Sequence, residues 1–221
     1  MSFGAAFLLL LISGGLNAAV RPRAGRLTPM ASRVIENEHL TAVNGALLFV
    51  LLVALAITVL LIRPLLSAHF LIGFMLVPPL ALKLWTTSHR FLMYYLRDPD
   101  FRVAGPPPLF LRFIVAPALV AATLVVMATG LELWAFGDRF GTWWVTAHTV
   151  SAVAFMAAVF FHLVGHSRRS ATAVAEDLST EAAAGAFTRR SVMLGCLILS
   201  FVLAAASLTY ATPFVSGGGG A

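Results

Sequence analysis

"HTVSAVAFMAAVFFHLVGH", residues His148 to His166, is almost wholly apolar, yet it begins and ends with histidine. Its 19 residues are close to the length of about 20 that an α-helix needs to cross a bilayer. His162 and His166 follow His148 by 14 and 18 residues, about four and five helical turns, so all three imidazoles share one face. An isolated histidine inside a membrane usually bonds to a neighbouring helix, but a set with regular spacing indicates a functional site.

The composition is that of an integral membrane protein. Of the 221 residues, 60% are hydrophobic and 11% are charged, whereas soluble domains have about a quarter charged residues. Backbone amides in lipid must be bonded internally, so the apolar runs are predicted to be helices. We therefore expect an all-α membrane bundle of five or six transmembrane helices. The predicted spans are Ala42–Ile62, Leu65–Trp85, Phe113–Gly130, Trp143–Gly165 and Val192–Ala211, and residues 1–20 form a sixth span, a signal peptide or a wrongly assigned start, of which we favour the span.

The arginines are concentrated in alternate connecting segments. They precede the first span, lie between the second and third, and lie between the fourth and fifth, whereas the other two links hold only Arg63 and Arg139. By the positive-inside rule, the arginine-rich segments face the cytoplasm and the C-terminus lies outside. The net charge of +6 is thus explained by orientation and contact with membrane lipid, and no nucleic-acid partner is expected.

A second histidine is predicted to meet the first across the bundle. His69 lies about one turn inside the outer end of the second span, as His148 does in the fourth. These two spans run in the same direction, so both imidazoles lie at the same depth, where they can hold a haem iron from its two faces. Gly73 and other small residues nearby leave room for a flat macrocycle. No acidic residue accompanies these histidines inside the membrane, which makes zinc or a di-iron centre a poorer fit.

This pattern resembles the diheme b-type membrane cytochromes, which include the quinol-oxidising cytochrome b subunits and the gamma subunits of membrane dehydrogenases. The segments "HFLIGFMLVPPLALKLW", "RFLMYYLRDPDF" and "HLVGH" are similar to an actinobacterial branch of such proteins. The resemblance covers roughly residues 42–169 and implies a four-helix haem-binding core there. It would be preceded by an apolar and basic segment (1–41) and followed by a cytoplasmic linker (170–190) and a last helix with an external tail (191–221).

A second haem at the inner side is left open, because the sequence departs from the family pattern. The residue 14 positions after His69 is Lys83 and not histidine, and His89 lies about 200° around the helix unless Pro78-Pro79 shifts its phase. The predicted metal ligands are His69 and His148 for an outer haem b, with His162 or His166 for an inner one. The inner partner could be His89, Lys83 or His39, and Lys83 could instead hold a haem propionate or extend to the interface. The single cysteine, Cys196, excludes a C-x-x-C-H haem tether.

The expected function is that of a membrane electron-transfer subunit between the quinone pool and a redox partner. The resemblance implies a molybdenum-containing oxidoreductase or another dehydrogenase as that partner. The sequence shows no nucleophile motif or phosphate-binding loop, so we expect a subunit of an oxidoreductase complex and not a stand-alone enzyme. The alternative is a cofactor-free transporter or assembly protein whose histidines bond between helices or carry protons.

Overall fold

The apolar segments fold into long helices. The structure is a computed structural model that describes residues 29–103, 109–178 and 185–209, and within these ranges all regular secondary structure is helical. The predicted extra span at residues 1–20 lies outside them. The helices are α1 (Pro29–Leu60), α2 (Ile62–Tyr95), a short α3 (Pro99–Val103), a π-helical turn (Leu111–Val115), α4 (Ala116–Phe136), α5 (Trp143–Leu178) and α6 (Ala186–Thr209).

Five of these helices are long and apolar enough to cross a membrane, which confirms the prediction of a multi-pass helical protein. The helices nevertheless differ from the predicted spans at several ends, and most of them are longer. The second span was predicted to end at Trp85, whereas α2 continues to Tyr95. Helical hydrogen bonds run along the backbone, so a helix continues after its side chains turn polar. By length and composition, the candidate membrane-crossing segments are Arg33–Leu60, Ile62–Tyr95, Arg112–Phe136, Trp143–Leu163 and Ala186–Leu208.

The first two membrane helices form a very tight hairpin. Only Leu61 separates α1 from α2, so Arg63 and Pro64, which were expected in a link, lie in the first turn of α2. Proline is tolerated there because a first-turn N–H has no partner within the helix. Leu65 is the one residue inside α2 with non-helical backbone angles. This short turn fixes α1 and α2 as antiparallel neighbours.

Pro78 and Pro79 do not break α2. Both are buried and keep helical backbone angles, although each removes an N–H donor from the helix. Asn44 of α1 is fully buried, and its Nδ2 donates a hydrogen bond of 2.8 Å to the carbonyl oxygen of Pro79. The missing N–H groups leave the carbonyls of Phe74 and Met75 without their helical donors, so the bond from Asn44 to Pro79 joins α1 to α2 beside this interruption and does not replace the lost bonds.

The face of α1 that meets α2 follows a regular pattern with polar groups at both ends. The residues on this face are spaced alternately by four and three along the chain, and such spacing keeps one side of a helix turned toward its partner. We call this side the seam of α1; it consists of residues 37, 41, 44, 48, 51, 55 and 58. Asn37 donates to the carbonyl of Thr86, and Lys83 donates to the carbonyl of Thr41. The central leucines of the seam pack into the apolar core, whose buried members are Leu48, Leu51, Leu52, Met75, Leu76, Phe155 and Ala204.

Helices α1, α2, α4 and α5 form a four-helix group. The α1 helix packs along both α2 and α5, α4 packs along α5, and α6 packs along the outside of α2. The α2 and α4 helices touch sparsely, and α2 and α5 are not a closely packed pair in the described part of the chain. These two helices therefore lie diagonally opposite each other, so side chains that join them must cross the middle of the group.

The topology can be tested by cysteine accessibility in a Cys196→Ala background. Arg102 and Asp138 are exposed and lie near opposite ends of the bundle. A cysteine at Asp138 should react with a membrane-impermeant maleimide in intact cells, whereas a cysteine at Arg102 should react only after permeabilisation. The reverse labelling pattern would contradict the orientation assigned from the arginines.

Candidate functional site

Two histidine rings from diagonally opposite helices meet near one end of the bundle. His69 lies in the third turn of α2 and His148 in the second turn of α5, counted from the ends at which both helices begin. Their ring centroids are 6.2 Å apart, and the ring planes are nearly perpendicular at 87°. Both side chains are half-buried. The structure thus brings together the two residues that sequence reasoning placed at the same depth.

Each of these histidines is held by a threonine from the preceding membrane helix. The His69 Nδ1 atom lies 2.9 Å from the hydroxyl oxygen of Thr58 on α1. The His148 Nδ1 atom lies 3.0 Å from the hydroxyl oxygen of Thr129 on α4. Both threonines are buried. The two hairpins, α1–α2 and α4–α5, therefore present their histidines in the same way.

The threonine hydroxyl protons are already used within their own helices. Thr58 donates to the carbonyl of Leu55 at 2.6 Å, and Thr129 donates to the carbonyl of Val125 at 2.8 Å. A hydroxyl has one proton and two lone pairs, so a threonine that gives its proton to the helix carbonyl accepts from the imidazole. In that arrangement the Nδ1 atom of each histidine carries the proton.

The tautomer that follows is the one that binds metals through Nε2. A neutral imidazole with a proton on Nδ1 has its lone pair on Nε2. Ligating histidines in metalloproteins usually donate their second ring N–H to a nearby acceptor, which fixes the tautomer and the orientation of the ring. Thr58 and Thr129 supply that acceptor here. They were not among the residues singled out from the sequence.

Two glycines lie near the pair, one packed against a histidine ring and the other beside open space. A Cβ atom on Gly130 would lie 3.1 Å from His148 Cε1, so the ring packs directly against the backbone of α4. A Cβ atom on Gly73, one turn after His69, would meet nothing within 4 Å. No described side chain therefore fills the space that was predicted beside Gly73. Gly130 is a further residue that the sequence analysis did not name.

Aromatic side chains lie at the histidine end of α2 and α4. The Phe70 ring lies edge-on to His69 with centroids 6.3 Å apart. The rings of Phe74 and Trp134 make an edge contact at 4.9 Å, and the Trp134 Nε1–H donates to the carbonyl of Ser207 on α6. These groups provide an apolar environment and link the last helix to the histidine end of the bundle.

The candidates for an inner site are placed differently. Lys83 donates its ammonium to the carbonyl of Thr41 at 2.8 Å. The His89 ring lies against Phe101 of α3 at 5.6 Å. Both residues thus contact groups other than the histidines of α5. His39 and His162 are half-buried on α1 and α5, and the side chain of His166 lies outside the described residues. The inner ligand pair stays a prediction.

No cluster of three or more His, Cys, Asp or Glu side chains that could by itself hold a metal ion occurs among the described residues. A haem iron takes its in-plane ligands from the porphyrin, so it needs only axial ligands from the protein. The histidine pair has the number of protein ligands that such an iron needs.

The fold and site define a multi-pass helical membrane protein with a histidine pair between two diagonal helices. No protein-family model matches the chain, and no curated protein or solved structure is significantly similar to it. The chemistry of the pair must therefore be argued from its own geometry.

Thr129→Val tests the threonine–histidine contact. Valine has a similar shape but cannot accept from His148, so the free energy of unfolding should fall by roughly 0.5–1.5 kcal/mol, the range of hydrogen bonds between membrane helices. Denaturation of the purified protein by increasing SDS would measure this change. Thr149→Val on the exposed face of α5 is the matched control, because Thr149 bonds only to its own helix. Equal stability of the two variants would contradict the contact.

Proposed function

We propose that His69 and His148 are the axial ligands of a haem b, and that the protein is a membrane electron-transfer subunit. The observation that carries the proposal is the meeting of the two rings across the bundle, with both Nδ1 atoms bonded to threonine hydroxyls. A histidine that served only to bond two helices together would need one partner on one neighbour. These two instead face each other from helices that are not closely packed.

The spacing of the rings fits a shared metal. With metal–nitrogen bonds of about 2 Å, two imidazoles on opposite sides of one metal ion have ring centroids roughly 6 Å apart. The observed distance is 6.2 Å. A direct hydrogen bond between the imidazoles would need a proton on one Nε2 atom, whereas in the proposed arrangement each ring carries its proton on Nδ1 and donates it to a threonine. The spacing and the tautomer thus support the same reading.

The residues around the pair have separate roles in this proposal. Thr58 and Thr129 orient the rings and keep the Nε2 lone pairs free, and Gly73 leaves space beside His69. The aromatic rings of Phe70, Phe74 and Trp134 add apolar surface at this end of the bundle. Bound haem would supply reversible one-electron chemistry, whose potential depends on the axial ligands, their hydrogen bonds and the dielectric environment.

The proposed electron path runs between the quinone pool and a redox partner. The histidine pair lies near one end of the bundle, so an electron need cross only part of the membrane to leave it. A second haem at the opposite end, with His162 or His166 as one ligand, would extend the path across the bilayer. In this proposal the partner is a dehydrogenase or molybdenum oxidoreductase and the membrane is the bacterial cytoplasmic membrane, both of which follow from the resemblance to diheme cytochromes.

The proposal is tested by the spectrum of the protein purified in mild detergent from haem-replete cells. The dithionite-reduced form should show a b-type α band, and acidic acetone should extract the haem because no cysteine pair tethers it. With the ring planes held at 87°, the oxidised form should give a highly anisotropic low-spin electron paramagnetic resonance signal.

Single substitutions then assign the ligands. His69→Ala or His148→Ala removes one axial ligand, so the low-spin band should be lost or become high-spin. His89→Ala is the matched control, because His89 contacts Phe101 on α3 and should leave the outer haem's signal unchanged. A colourless protein, or a spectrum insensitive to the loss of both His69 and His148, would support the cofactor-free transporter or assembly protein instead.

Gly73→Ala and Gly195→Ala form a second matched pair of variants. A Cβ atom meets nothing within 4 Å at either position, and alanine is the better helix former. Neither substitution should lower the free energy of unfolding, but only Gly73→Ala should reduce the haem content per protein if a macrocycle uses the space beside His69. Equal haem content in both variants would mean that the space at Gly73 serves another purpose.

A further inference from the structure

The opposite end of the bundle contains an open cleft lined by cationic and phenolic side chains. Its volume is about 420 Å³, and its lining residues are Tyr94, Tyr95, Arg97 and Arg102. The tyrosines are in the last turn of α2, Arg97 follows that helix, and Arg102 lies on α3. The cleft is thus formed where α2 leaves the membrane-crossing part of the chain, far from the pair of His69 and His148.

The two arginines of the cleft carry charge that the described residues do not neutralise. The side chains of Arg97 and Arg102 are exposed, and neither forms a hydrogen bond or ion pair with another described residue. Arg90 differs, because its guanidinium pairs with Glu38 at 2.6 Å. The carboxylate of Asp98 accepts from the backbone N–H of Asp100 at the start of α3. The cleft therefore has two guanidinium groups available for an anion.

A third arginine supports the wall of the cleft. The Arg112 guanidinium lies over the rings of Tyr95 at 4.9 Å and Tyr94 at 5.6 Å. Its Nε atom is buried without a hydrogen-bond partner among the described residues. These cation–π contacts fix the tyrosine rings and add positive charge behind them. A buried, unsatisfied guanidinium N–H is costly, and a nearby anion would reduce that cost electrostatically.

The backbone at Arg97 is in an unfavourable conformation. Its φ angle is 64°, the left-handed region that residues other than glycine rarely adopt. Such strain is retained where the surrounding structure holds a residue in place, often at a binding site. The conformation turns the chain from α2 into α3 and brings Arg97 and Arg102 to the same cleft.

The surroundings of the cleft suit a lipid. Leu96, Phe110 and Phe113 are large apolar side chains near its lining residues in the chain, and each is more than half exposed. In a membrane these residues would meet acyl chains, while the arginines lie where headgroups are found. Basic pockets at helix ends bind anionic lipid headgroups, and guanidinium groups bind phosphate by paired hydrogen bonds.

We propose that this cleft binds the phosphate of an anionic phospholipid, with Arg97 and Arg102 as ligands and Arg112 and the two tyrosines as the supporting wall. The proposal does not depend on haem binding. A free phosphate ester has the same recognition chemistry, so the experiment must separate the lipid from a soluble source.

Native mass spectrometry of the delipidated full chain would count bound lipids. Phosphatidylglycerol should bind in a first, saturable event at a concentration at least tenfold below that for phosphatidylcholine with the same acyl chains. The Arg97→Asn/Arg102→Gln variant should lose this preference by tenfold or more, and asparagine tolerates the left-handed backbone. Arg139→Gln removes a charge at the other end of the bundle and should keep the preference. Circular dichroism would verify that all variants are folded.

Glycerol 3-phosphate and inorganic phosphate form the second arm of the experiment. If either competes with phosphatidylglycerol at equal concentration, the site binds phosphate from a soluble source, which supports the anion site and overturns its lipid specificity. If neither competes, the lipid is the ligand. Equal binding of the two lipids, or an equal loss in Arg139→Gln, would overturn the proposal.

Discussion

A neutral imidazole in hydrocarbon needs a partner for its N–H, and this constraint determines the arrangement at the histidine end of the bundle. Water is scarce there, so the partner must come from a neighbouring helix. Thr58 and Thr129 meet the need for His69 and His148 in the same way, one in each hairpin. A threonine that donates its own proton to a carbonyl accepts from the imidazole, and this arrangement leaves the Nε2 lone pairs available.

The contacts between α1 and α2 hold one half of this pair in place. The one-residue turn between α1 and α2 brings Thr58 beside His69. The seam of α1 then continues through leucines to Asn44, Thr41 and Asn37, which bond to the far half of α2. The bonds at Thr58 and at Asn44 fix the register of the hairpin, since a shift by one turn would leave buried polar groups without partners. The proposed ligand and its orienting threonine are thus held by the same interface.

The sequence was sufficient to predict the membrane class, the five spans and the meeting of His69 with His148. The depth of a residue in the membrane can be counted in residues from the end of its helix. In two helices that run in the same direction, residues at the same count therefore lie at the same depth. The threonines were missed because a hydroxyl in a membrane helix usually bonds to its own backbone, and its second contact depends on the neighbouring helix. Helical counting put His89 about 200° around α2 from His69, and α2 keeps this phase through Pro78 and Pro79. The bond from Lys83 to the carbonyl of Thr41 was not predictable, because it depends on how α1 packs against α2.

The central claim is that one iron lies between His69 and His148. Anomalous X-ray scattering at the iron absorption edge, from crystals of protein purified from haem-replete cells, locates that iron directly. The account predicts an anomalous peak on the line between the two Nε2 atoms, with each Nδ1 atom still within hydrogen-bonding distance of its threonine. A map with iron bound elsewhere in the chain, or with the two imidazoles meeting and no iron between them, would contradict it.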